Sequence, residues 1–188
     1  MVPDFALRFQ AMIRSLREVI LPALPNGQML AIDQANILIG YLRIMALQHD
    51  KVFDYLLAEL SEYTELVNAM VEDARDGEPK DETDVAARAA LAKATHILRM
   101  SIPRQSELAG VVTSLKKSAD ELLCAARQSG TAALAQASAN RVMEQAGRQI
   151  MRERAWFRES GFELDADKLP SIDEVLYSRR EMPASGLE

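Results

Sequence analysis

Apolar residues recur at helical spacing along almost the whole chain, and no convincing strand alternation interrupts them. Phe5, Phe9, Met12, Ile13, Leu16, Val19 and Ile20 fall at steps of one, three and four, which predicts a helix over about 4–21. Asp4 is placed to accept its first amides, and Pro22 to end it. Two prolines make 21–27 (LPALPNG) a stiff corner. From Gln28 to Leu47 the chain is apolar nearly all round, the pattern expected of a helix surrounded by other helices. The pattern turns amphipathic from Lys51 to about Asp73, and Gln48-His49-Asp50 leaves open a break or one continuous helix.

Residues 75–84 (RDGEPKDETD) read as a charged loop. An alanine-rich helix follows from Val85 to about Met100, with Ser101 as cap and Pro103 in the first turn of the next. That next helix has the clearest pattern: Leu108, Val111, Val112, Leu115, Ala119, Leu122, Leu123 and Ala126 form a narrow seam of bundle type. Ser129-Gly130-Thr131 supplies a stop and a fresh cap. The last long helix, about 132–159, places Leu134, Ala137, Met143, Ala146, Ile150 and Phe157 on a broad apolar face, and Gly161 ends it. A short capped turn follows at 169–176, and 178–188 reads as a flexible polar tail.

These elements predict an all-α bundle of about five long, alanine-rich helices in one domain, residues 1–177, open to completion by dimerisation. Gly40 and Gly147 lie mid-helix, where each costs about 1 kcal/mol relative to alanine. A close crossing by another helix is the expected compensation.

Composition narrows the function classes. The 188 residues carry a formal charge of −6, which offers little to a polyanion, and no helix-turn-helix signature accompanies the basic residues, so nucleic acid is not an expected partner. One cysteine, Cys124, excludes a disulfide framework and multi-thiolate zinc sites, and its place beside the seam reads as packing. The most apolar window, 35–47, is thirteen residues long, against the roughly 20 of a spanning helix. The opening residues lack a secretory pattern, so a cytoplasmic protein without membrane partners is expected.

Catalytic sets are missing. His49 and His96 are the two histidines, and neither follows a glutamate at the spacing a di-iron bundle uses. No phosphate loop, dinucleotide fingerprint or nucleophile elbow occurs, and neither metal nor cofactor is expected. His96-Ile-Leu-Arg99 resembles the phosphoacceptor segment of histidine-kinase dimerisation helices. The acidic neighbour of that segment is replaced by Ile97, and the proline comes later, at Pro103.

Two polar clusters remain. Arg141, Arg148 and Arg152 recur at steps of seven and four on one helix face, where guanidinium groups can grip phosphate or carboxylate. The competing explanation is internal: Glu59 to Asp84 holds ten acidic residues against two basic ones, enough to neutralise that face. Asp33, Asn36, Gly40 and Arg43 draw a polar line along the apolar second helix. The line is a solvent strip, a buried hydrogen-bond network, or a pocket in which Asn36 and Arg43 meet an anionic ligand.

The stretch 16–27 (LREVILPALPNG), followed by Asp33-Gln-Ala-Asn36, resembles the opening of small uncharacterised bacterial helical proteins encoded near acyl-CoA dehydrogenases and aminoglycoside-phosphotransferase-like kinases. The resemblance covers some thirty residues and implies an accessory role without catalytic residues to transfer. The expectation is a non-enzymatic interaction protein, associating with itself as a homodimer or with another protein. The alternatives are a bundle holding an anionic or acyl ligand and, third, phosphotransfer at His96.

Overall fold

The computed structural model describes residues 4–74, 82–129 and 131–177, and they contain helices and turns but no strand. The helices are α1 (Phe5–Ser15), α2 (Met29–Gln48), α3 (Val52–Asp73), α4 (Glu82–Leu98), α5 (Gln105–Ser129), α6 (Ala132–Phe157) and α7 (Ile172–Tyr177). Their contacts gather the described residues into two compact units, 4–52 with 151–177 and 53–150. The sequence reading treated both as one domain.

In the first unit, the Asp4 carboxylate accepts from the Leu7 N–H at 2.9 Å and starts α1 as expected. The helix then widens into a π turn at Leu16–Ile20, where the Leu21 N–H reaches the Leu16 carbonyl, before a last turn at Leu21–Ala23. Pro22 explains the widening: it has no N–H to give the preceding turn, and its ring crowds the carbonyl four residues back. Leu16, Ile39 and Leu42 form the buried contact between α1 and α2, with Phe9, Ile13 and Leu21 against it. Phe5 and Phe9 lie about 6 Å from the His49 ring at the far end, so the two helices run antiparallel.

The open question at 48–50 resolves as a break. Helix α2 ends at Gln48, a turn closed by the Lys51 N–H on the Gln48 carbonyl follows, and α3 starts at Val52. At the other end of the unit, Gly161 takes a left-handed φ of 85° to stop the short 3₁₀ turn that extends α6. Ser171 and Glu174 then cap α7 reciprocally: the Glu174 carboxylate takes the Ser171 N–H at 2.6 Å, and the Ser171 Oγ takes the Glu174 N–H at 3.2 Å.

The second unit has the larger core. Leu60, Val67 and Met70 of α3, Ala87, Ala90 and Ala94 of α4, and Leu108, Leu115 and Leu122 of α5 belong to one buried cluster. The predicted α5 seam is therefore the core-facing stripe. Alanines let α4 lie close to α5, and the two helices pack along an extensive contact. Two boundaries differ from expectation. Glu82–Asp84 are helical rather than loop, while 75–81 and the 178–188 tail lie outside the described residues. Pro103 stands outside α5 rather than in its first turn, and the Glu107 carboxylate holds the Arg104 N–H at 2.9 Å.

Helix α6 departs most from its predicted face. Met143, Ile150 and Phe157 are exposed, and the buried residues are Ser138, Gln145, Arg152 and Ala155. Polar partners on neighbouring helices, invisible in the local pattern, decide which side turns inward. Cys124 is also exposed: two residues past buried Leu122, it points about 200° around the helix from the seam.

Candidate interaction face and polar clusters

The apolar second helix is not surrounded. Of its 20 residues, six are buried: Ala35, Ile39, Gly40, Leu42, Ile44 and Gln48. Leu30, Leu38, Tyr41 and Met45 stand 74%, 48%, 52% and 49% exposed. With Gln34 they follow steps of four, four, three and four, one stripe within about 80° of arc. On α1, Phe5 and Met12 are half exposed at a step of seven.

The two stripes meet on one side of the hairpin. Met12 precedes the packed residue Ile13 by one position, and Leu38 and Tyr41 precede Ile39 and Leu42 in the same way. Setting two antiparallel helices face to face turns both of these rotations to the same side. The result is one largely apolar face, with Gln34 inside the stripe and Arg8 beside it. At 20 residues, α2 is also long and apolar enough to cross a membrane, which corrects the thirteen-residue estimate.

Next to this face lies an open groove of about 400 Å³ lined by Ile37, Tyr41, Phe157, Ser160, Phe162 and Glu163. Gly40 is what lets it form. A Cβ there would stand 2.8 Å from the Phe162 ring and 2.9 Å from the Ser160 carbonyl, so the close approach comes from the turn after α6 rather than from a helix. Gly147 has nothing within 4 Å of an added Cβ, and no crossing explains it. Gln48, buried one turn before α3, donates from Nε2 to the Trp156 carbonyl at 2.6 Å and ties the end of α2 to α6.

The remaining line on α2 divides. Asp33 and Asn36 are exposed, as a solvent strip would be, Gly40 is buried, and Arg43 is half buried. Neither Asn36 nor Arg43 lines the groove beside Tyr41.

In the second unit Arg141 and Arg148 of the arginine row meet the acidic helix, Arg141 directly and Arg148 through Gln145, as the internal explanation anticipated, while Arg152 belongs to the first unit. Arg141 makes a two-pronged pair with Asp73, Nε to Oδ2 at 2.7 Å and one terminal nitrogen to Oδ1 at 3.0 Å. That hydrogen bond raises the Arg141 pKa further above its ordinary value, so the guanidinium stays charged at any physiological pH. Arg148 donates twice to Gln145 Oε1, at 2.9 and 2.6 Å, and Gln145 passes the link on through Nε2 to buried Glu62 at 2.9 Å. Gln145 thus joins a guanidinium to a carboxylate without direct contact. Arg152 is 2% exposed, too deep to serve as a surface grip. Sequence reasoning missed Gln145, Tyr63 and Lys116. Tyr63 donates to Gln149 Oε1 at 2.6 Å, and Lys116 pairs with buried Glu59 at 2.8 Å.

His96 is exposed on a second open groove, about 690 Å³, between α4 and α5, with Lys93, Met100, Glu107 and Ser114 among its lining residues. No group of three His, Cys, Asp or Glu side chains suited to a metal occurs among the described residues. Comparison with protein-family models, curated proteins and solved structures found no match.

Proposed function

We propose that this protein is a non-enzymatic helical module that works by association, and that the apolar face of α1 and α2 is its working surface. The carrying observation is Leu30, Leu38, Tyr41 and Met45, a stripe left about half exposed or more on a helix with few polar positions. Phe5, Met12 and this stripe leave bare roughly 600 Å², at the top of what a monomer usually exposes as one patch. A face spaced at helical intervals suits another helix as occupant. The thirty-residue N-terminal resemblance supports an accessory role.

A photo-crosslinking residue in place of Leu38, expressed in cells, tests the reading. Protein adducts are expected from this position and none from an exposed α5 position such as Asp120. Equal labelling from both, or none from Leu38, rejects it. The alternative, an anionic or acyl ligand, is favoured by Arg43, a half-buried cation set among apolar neighbours in sequence. An acyl-CoA that raises Tm in the wild type but not in Arg43→Gln would support it.

A further inference from the structure

We infer that the occupant of this face is a second copy of the same chain, with the two α2 helices antiparallel about a two-fold axis between Ile37 and Leu38; this rests on the association reading above. Such a pairing requires a stripe that is complementary to itself when reversed. The α2 stripe meets this requirement. Reversal about that point sets Leu30 against Met45, Gln34 against Tyr41, and Ile37 against Leu38. Each apolar side chain meets another, and the one amide in the stripe meets the one phenol.

Area and charge agree with this choice. The roughly 600 Å² of apolar residues, with Gln34 inside the stripe and Arg8 beside it, approaches the ~800 Å² per partner of a standard interface. Two α1–α2 hairpins joined in this way form a four-helix arrangement, the common solution for amphipathic hairpins. A membrane surface is the less suited occupant. From Asp4 to Gln48 the hairpin carries four arginines against three acidic residues, nearly cancelling, whereas helices that lie on membranes carry a strongly cationic polar face.

The test uses the full chain with Cys124→Ser, since that thiol is exposed. Light scattering at micromolar and higher concentration should give twice the 20.9 kDa mass. Leu38→Lys should give the monomer mass with unchanged helicity. Mixing Leu30→Cys and Met45→Cys proteins with a short bis-maleimide should cross-link the two. Leu30→Cys alone should not, because the two copies of that position stand about 22 Å apart in this register.

A dimer cross-linked through Leu30 to Leu30 overturns the antiparallel pairing. A dimer untouched by Leu38→Lys overturns this interface. A monomer throughout overturns self-association; if the Leu38 photo-adducts in cells still appear, the association reading survives with a different protein as partner. Flotation of the wild type, but not of Leu38→Lys, with anionic vesicles would assign the face to a lipid surface and overturn the inference.

Discussion

Helices α2 and α5 are both long and both strongly apolar on at least one side, yet their apolar residues meet different fates. In α5 the stripe from Leu108 to Leu122 is confined to one narrow face, and that face closes the core with α3 and α4. In α2 one side packs on α1 through Ile39 and Leu42, and a second receives the Ser160–Phe162 turn at Gly40. The third side, Leu30 to Met45, is bare. Apolar character predicts burial within the chain only where it is matched by a facing stripe. Where the stripe exceeds its partners it stays exposed, as Leu38, Tyr41 and Met45 do.

The contrast predicts unequal costs for the same substitution. Leu115→Ala, at a fully buried position, should cost about 2–5 kcal/mol in chemical denaturation. Leu38→Ala, measured at concentrations too low for association, should change monomer stability by about 0.5 kcal/mol or less. Equal costs would show that the α2 stripe is packed within the monomer and would erase the distinction.

The polar side of the second unit gives the next effect. Gln145→Leu removes the donor to Glu62 and the acceptor of Arg148, and should destabilise by about 1–3 kcal/mol. A neutral outcome would mean that water replaces the amide without loss.

Glycines sharpen the comparison within the helices. Gly40→Ala forces the Phe162 ring and the Ser160 carbonyl away and should cost about 1–3 kcal/mol. Gly147→Ala meets open space on a helix and should stabilise by about 0.5–1 kcal/mol. Paired thermal melts of the two variants decide whether the approach at Gly40 is needed.

The smallest effect is local and pH-dependent. Hydrogen bonds from the Ser171 backbone and hydroxyl hold the Glu174 carboxyl below its ordinary pKa. Its folded value is the lower one, so the cap is at full strength above the unfolded pKa and is lost as pH falls through the folded one. The protection factor of the Ser171 amide, its exchange relative to an unprotected amide at the same pH, should fall on acidification below the ordinary glutamate range. Glu174→Gln should remove that pH dependence; an unchanged profile would assign the protection to another group.

All-α character, most helix positions, the α5 seam and the pairing of Arg141 with the acidic stretch were legible in the sequence. They depend on spacing of three and four, on caps such as Asp4 and Ser171, and on charge sign, all properties of neighbouring residues. The α6 face was not legible. Met143, Ile150 and Phe157 make the better apolar stripe, yet Ser138, Gln145 and Arg152 turn inward, in part because Glu62 on α3 offers Gln145 a partner. Nor did Gly40 announce what would approach it, since a turn more than a hundred residues later supplies the contact. By itself the sequence determined which segments are helical and which stripes are apolar, because those follow from local backbone preference and periodicity. Only the tertiary structure decided which stripes are covered, because coverage depends on the facing surface, and in α2 it left a long apolar stripe about half exposed or more.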